Sequence, residues 1–200
     1  MNTLLTRRNV IAGMGVLGLG IFASFNSFAS TFKNGWDLRC QARGRSFTLN
    51  DTQGNQKTLS SYQGSVAMIF FGFTQCPAVC PITLSKAAKI KKLLGPDGDR
   101  LKVVFITLDP ERDTPAVLDA YVKTFDPTFE ALYGSLEATA ATAAEFGVIY
   151  EKVPLGETYT ISHTAMSYVY DSKGTLCLGL SQSLTEQECA EDLLTVMKVS

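Results

Sequence analysis

The sequence predicts an α/β fold in which a central mixed sheet is flanked by helices, and three observations carry that expectation. Residues 66–71 and 103–107 are continuous apolar runs of strand length, suited to strands buried on both faces. Each run is followed by a turn and then by an amphipathic helical stretch, the alternation typical of α/β proteins. Nearer the C-terminus two more apolar runs flank Asp171-Ser172-Lys173-Gly174, a hairpin signature that adds antiparallel strands.

In chain order, residues 47–50 alternate as a short strand and residues 51–55 read as a turn. The buried strand 66–71 leads into a loop holding Cys76 and Cys80, and a helix is expected over 81–94. Pro81 suits the first helical position, where its missing N–H costs nothing. Ile82, Ala88, Ile90 and Leu93 supply its apolar positions, Lys86, Lys89, Lys91 and Lys92 face solvent, and Gly95-Pro96 ends it. After the strand 103–107, Asp113-Thr114-Pro115 opens a helix to about Phe125 with Val117, Leu118, Tyr121 and Val122 as its stripe. A third helical segment spans 137–146 and a short strand 148–150. Hairpin strands follow at 165–170 and 175–180, and a closing helix over 183–197 has Ser183 or Thr185 as its cap. With a cysteine motif at a strand-to-helix turn, this order argues a sandwich of the thioredoxin type.

Composition narrows the chemistry. A formal net charge of −1 leaves no electrostatic footprint for nucleic acid. The single histidine excludes a multi-histidine metal site within the chain, so chemistry must lean on cysteine, carboxylates or His163. Residues 1–29 hold no acidic residue, a basic pair at Arg7 and Arg8, an apolar stretch over 10–25 and small residues around Ser27-Phe28-Ala29. This is the order of an export signal of the twin-arginine type, with an uncleaved anchor as the alternative. The remaining domain, residues 30–200, is then expected in the bacterial periplasm, soluble or anchored to the inner membrane. That compartment is oxidising, and the cysteine count of five is odd, so at least one stays outside any intramolecular disulfide.

Cys76 and Cys80 lie in Gly72-Phe73-Thr74-Gln75-Cys76-Pro77-Ala78-Val79-Cys80-Pro81, where a helix N-terminus favours thiolate over thiol. Three residues separate the sulfurs, against two in ordinary thiol oxidoreductases. The looser bite suits a soft metal ion such as Cu(I), and a structural disulfide in the turn is the alternative. His163 sits at a loop leading into a strand. Most lone histidines are ordinary surface or core groups, but in a thioredoxin-type sandwich this loop approaches the cysteine turn. There a neutral imidazole completes a site of two sulfurs and one nitrogen. Asp109, at the C-terminal end of a central strand, falls where open α/β sheets place their sites. The alternative for its surroundings is turn and cap chemistry, with Asp113 or Thr114 capping a helix and Arg112 pairing locally.

The segment Phe70-Phe71-Gly72-Phe73-Thr74-Gln75-Cys76-Pro77-Ala78-Val79-Cys80-Pro81, the run Asp109-Pro110-Glu111-Arg112-Asp113-Thr114-Pro115 and His163 together resemble the Sco/SenC family. The resemblance runs through nearly all of residues 40–195. It implies a thioredoxin fold on the outer side of the bacterial inner membrane or in mitochondria. It also implies one copper ion, as Cu(I) and/or Cu(II), and a role in assembling the dinuclear copper centre of cytochrome c oxidase. The implied partner is the copper-bearing subunit of that oxidase or another copper protein. By resemblance Cys76, Cys80 and His163 are the copper ligands, and Asp109 belongs to their neighbourhood. Many members have histidine where this chain has Gln75, and aspartate where it has Ala78 and Ser162. The change at Ser162 bears on how the imidazole is oriented, since a ligating histidine usually needs an acceptor for its other N–H. Cys40, Cys177 and Cys189 lie outside the family motif and read as incidental thiols, with a Cys177–Cys189 disulfide as the alternative. A thiol–disulfide reductase acting on the client's cysteines is the second functional reading. A peroxiredoxin-like peroxidase is disfavoured by Phe73, which stands where such enzymes carry threonine. A pure interaction module leaves the Cys/Cys/His combination unexplained.

Overall fold

The computed structural model describes residues 32–199, so the export signal expected at 1–29 lies outside the described residues. Within them the strands are β1 (Trp36–Asp37), β2 (Leu49–Asp51), β3 (Gln56–Lys57), β4 (Val66–Gly72), β5 (Leu101–Thr107), β6 (Glu130–Tyr133), β7 (Tyr150–Leu155), β8 (Thr158–His163), β9 (Met166–Tyr170) and β10 (Leu176–Ser181). The helices are α1 (Val79–Leu93), α2 (Pro115–Lys123), α3 (Leu136–Phe146) and α4 (Glu186–Val199). Eight strands form one mixed sheet in the order β1-β10-β9-β4-β5-β6-β2-β3, while β7 and β8 pair only with each other.

The two apolar runs become the centre of this sheet. All seven residues of β4 are buried, and β4 and β5 pair in parallel from Val66 opposite Leu101 to Gly72 opposite Thr107. Alternation along β4 sends neighbouring rings to opposite faces. Phe71 meets Phe146 of α3 edge-on, whereas Phe70 lies against Phe105 and His163. The predicted hairpin is β9 and β10, closed by Asp171, whose carboxylate accepts from the backbone of Lys173 and Thr175, with Gly174 at φ 81°.

Several expectations need correction. Helix α1 begins at Val79, so Pro81 is its third residue rather than its first. The change costs no hydrogen bond, because all the N–H groups of the first turn lack helical partners. Its buried stripe is Cys80, Thr83, Leu84, Ala87 and Ile90, and Ile82 and Leu93 face solvent. Leu118 and Val122 anchor α2 while Val117 is exposed, and its cap is Thr114, which accepts from the Val117 N–H. Thr185, not Ser183, caps α4 through reciprocal bonds with Glu188. The strand expected at 148–150 is instead the start of the β7–β8 hairpin, and β6 was not anticipated.

Residues 32–35 are held to α4 by a buried carboxylate. Asp192 accepts from the N–H groups of Lys33 at 2.9 Å, Asn34 at 3.0 Å and Gly35 at 2.6 Å. Asp192→Ala is therefore expected to cost about 2–3 kcal/mol, the scale of losing charge-assisted hydrogen bonds, read as a lower midpoint in urea unfolding. An unchanged midpoint would show that this segment contributes nothing to stability.

Candidate metal centre

The cysteine loop and the loop after β5 leave the same edge of the sheet side by side, because Gly72 and Thr107 are paired neighbours. Asp113 ties them together. Its buried carboxylate accepts from Thr74 N at 3.1 Å, Thr74 Oγ1 at 2.5 Å and Thr107 Oγ1 at 2.6 Å. Burial pushes the Asp113 carboxyl upward, and the Thr107 and Thr74 bonds act against that shift. The cap reading for Asp113 is thus corrected: Thr114 caps the helix and Asp113 braces the cysteine loop.

Within that loop Cys76 is partly exposed and Cys80, in the first turn of α1, is fully buried. The Cys80 N–H points at Cys76 Sγ at 3.4 Å, so the helix N-terminus does face the first sulfur. Gly72 makes room for the second. A Cβ there would lie 2.6 Å from Cys80 Sγ and 2.8 Å from the Phe105 ring. Burial drives the Cys80 thiol well above its ordinary range, and the neighbouring Cys76 adds to the rise. For Cys80 the expected thiolate bias of the helix terminus loses to burial. The term from a helix dipole is about 0.3–1 kcal/mol, and full burial shifts a group by several pKa units.

His163 is the last residue of β8 rather than part of a loop, and its imidazole stands between Phe70 and Phe73, edge-on to both. Its Nδ1 lies 3.0 Å from the Thr164 carbonyl. A carbonyl only accepts, so Nδ1 carries the proton and Nε2 presents its lone pair. Burial lowers the His163 pKa and keeps the ring neutral. Nε2 faces Cys80 Sγ at 3.7 Å, where the thiol proton is donated to the ring.

Cys76, Cys80 and His163 bring their ligand atoms within 4.8 Å of one another, a group able to hold a metal ion. With bonds of about 2.3 Å to sulfur and 2.0 Å to nitrogen, the values known for zinc, two ligands at 120° on one metal stand roughly 3.7 Å apart. The Cys80–His163 separation already has that value. A groove of about 270 Å³ opens beside the group, lined by Phe73, Cys76, Pro77, Val79, Ile161 and His163.

Asp109 is fully buried and lies outside the ligand group. It accepts from Arg112 Nε and, at 2.7 Å, from the Tyr159 hydroxyl on the hairpin that carries His163. Arg112 therefore pairs locally, as one reading expected. Sequence reasoning missed Tyr159 and the bracing role of Asp113; the only signal for the latter was the density of charge in residues 109–113. Cys40, Cys177 and Cys189 are free thiols away from the site, and Cys177 and Cys189 are buried.

The sequence profile of the family described as SCO1/SenC matches residues 38–198. An SCO2-like protein of Rickettsia typhi is 32% identical over 153 residues, covering 75% of each chain. One from Rickettsia felis is 35% identical over 66% of this chain and 65% of its own length. Among solved structures, Bradyrhizobium japonicum ScoI with copper bound has a TM-score of 0.72 at 37% identity, over 78% of this chain and all of that one. Arabidopsis thaliana ScoI with copper bound has a TM-score of 0.75 at 29% identity, over 80% of this chain and all of that one. The architecture is accordingly the thioredoxin-like sandwich. On the profile match, the motifs and the fold together, this chain belongs to the SCO1/SenC family.

Proposed function

We propose that the protein takes up one copper ion through Cys76, Cys80 and His163 and passes it to the copper-bearing subunit of cytochrome c oxidase or another copper protein. The observation that carries this reading is the convergence of two sulfurs and a neutral imidazole within 4.8 Å. Its donor set is soft, as Cu(I) prefers, and it lacks the oxygen donors that Mg²⁺ or Ca²⁺ requires. The copper-bound relatives support the same metal. Delivery to the oxidase rests on family membership. A place in the periplasm, soluble or membrane-anchored, rests on the export-like residues 1–29. In this reading Thr164 fixes the imidazole, Asp113 fixes the cysteine loop and Gly72 leaves space for Cys80.

A second activity is compatible with the same sulfurs. Partly exposed Cys76 over buried Cys80 is the arrangement of an attacking and a resolving thiol. The Cys76 thiolate would attack a client disulfide and release one client thiolate. Cys80, giving its proton to His163 Nε2, would then attack the mixed disulfide, release the second client thiolate and leave Cys76 and Cys80 joined. A Cys80→Ala variant that accumulates a mixed disulfide with a copper-site client supports this activity, and its failure to do so counts against it.

For the copper reading, anaerobic Cu(I) titration against a competing chelator is expected to show one tight site in the reduced protein. Cys76→Ala and Cys80→Ala should weaken it by more than the roughly 10–100-fold typical of losing a supporting group, with a smaller loss for His163→Ala. Unchanged uptake in either cysteine variant would refute the site.

Uptake is also expected to depend on pH. At neutral pH the buried Cys80 is a thiol, so copper must displace at least its proton. Affinity then rises with pH and falls as pH drops, by about tenfold per unit for each proton released. His163, held neutral by burial, adds no proton until the pH is below its ordinary range. Calorimetry in buffers of different ionisation enthalpy measures the release, and a pH-independent affinity would contradict the assignment of Cys80.

A further inference from the structure

Arg112 touches both ligand-bearing segments at once. Its Nη1 donates to Gln75 Oε1 at 3.2 Å, one residue before Cys76, and to the Tyr159 carbonyl at 2.8 Å, on the strand that ends at His163. The guanidinium is itself fixed, since Nε donates to the buried Asp109 carboxylate and Cζ lies 3.7 Å from the centroid of the Tyr159 ring. Tyr159 completes the circuit by donating its hydroxyl to the other oxygen of Asp109 at 2.7 Å.

This circuit matters because of where His163 is carried. Strands β7 and β8 pair with each other and with no strand of the main sheet, so the sheet holds the hairpin only at its base, where β8 runs into β9. Ile161 anchors it by burial, and its strands are tied to the body through Asp109, Glu111 and Arg112. The Lys152–Glu111 pair is half-exposed on both sides and therefore weak. The Asp109–Arg112 pair has a fully buried carboxylate and is far less screened. Arginine is suited to the task because its planar fork bonds in several directions while its face stacks on an aromatic ring.

We infer that Arg112 and Tyr159 are positioning residues for the third metal ligand, setting the gap between the Cys76–Cys80 loop and His163. The inference rests on the Cys/Cys/His reading above. Neither residue touches the metal; both act through the imidazole, and when they are loosened Asp113 still holds the cysteine loop through Thr74 while the nitrogen drifts.

A double-mutant cycle tests this on the reduced protein. Tyr159→Phe keeps the ring stack and removes one hydrogen bond, while Arg112→Lys keeps charge and loses the fork. Each is expected to weaken Cu(I) binding by about tenfold, the lower end for groups that orient a ligating histidine. In a His163→Ala background each should leave affinity within about twofold, because the group through which they act is gone. The Cu(II) form should lose nitrogen hyperfine structure in its electron paramagnetic resonance spectrum in the same variants. Equal losses in both backgrounds, or no loss in the protein that keeps His163, would overturn the inference while leaving the site intact. A His163→Ala protein that binds Cu(I) as tightly as wild type would overturn the ligand reading itself. Should Arg112→Lys prove unstable, Tyr159→Phe on the outer hairpin carries the test alone, with the metal-free melting temperature recorded beside it.

Discussion

The parallel pairing of β4 with β5, kept in register to its last residues, is the constraint on which the site depends. Gly72 stands opposite Thr107, and the Leu108 N–H donates to the Gly72 carbonyl at 2.7 Å, so the two following loops emerge as neighbours. An antiparallel pair would have sent them to opposite ends of the sheet. Adjacency lets Asp113 reach Thr74 and lets Arg112, three residues after Asp109, reach Gln75. Buried carboxylates are costly without partners. Asp109 and Asp113 meet that requirement with bonds that also fix the loops, so the same interactions that satisfy the charges build the site.

The pocket those loops form is arranged for neutral groups. Burial raises the Cys80 thiol, lowers the His163 imidazolium and leaves the thiol donating to the ring. A sulfur–proton–nitrogen contact of this kind is a stable resting state in apolar surroundings, since neither partner bears charge. In the proposed function a cation replaces that proton and meets the same two atoms. Little rearrangement of this pair is then needed, because their spacing already suits two bonds to one metal. In that reading Cys76, partly exposed where it lines the groove, is the sulfur that an incoming ion or a client disulfide reaches first.

The parts of this arrangement legible in the sequence are those with strong local signals. Strands β4 and β5 are largely apolar runs, and the cysteine motif sits between a strand and a helix with proline in its first turn. The hairpin at Asp171-Ser172-Lys173-Gly174 has turn chemistry of its own. What was not legible lacks such signals for a physical reason. Strand β6 is four residues long and takes its place from its neighbours β5 and β2. Strands β7 and β8 are mostly solvated, so Glu151, Lys152 and Pro154 stand where an amphipathic strand would alternate. Within α1, Ile82 and Leu93 read as core by residue type, yet Thr83 occupies a buried position because its hydroxyl bonds to the Val79 carbonyl at 2.7 Å.

Ser162 offers His163 no carboxylate, yet the imidazole is held in one orientation. With no carboxylate at position 162, the second nitrogen of His163 needs another acceptor. The Thr164 carbonyl takes that role, and it is available because the base of the hairpin is closed. Thr164 N donates to Ile149 O at 2.9 Å, and Ile149 N donates to Thr164 Oγ1 at 3.1 Å, which holds the peptide following His163 in place. A backbone acceptor carries no net charge, so it fixes the tautomer without the added pull on the imidazole proton that a carboxylate would exert. Orientation is thus assigned to the hairpin base and distance to the Arg112–Tyr159 clamp. The ring keeps its aim even though no side chain of its own strand directs it.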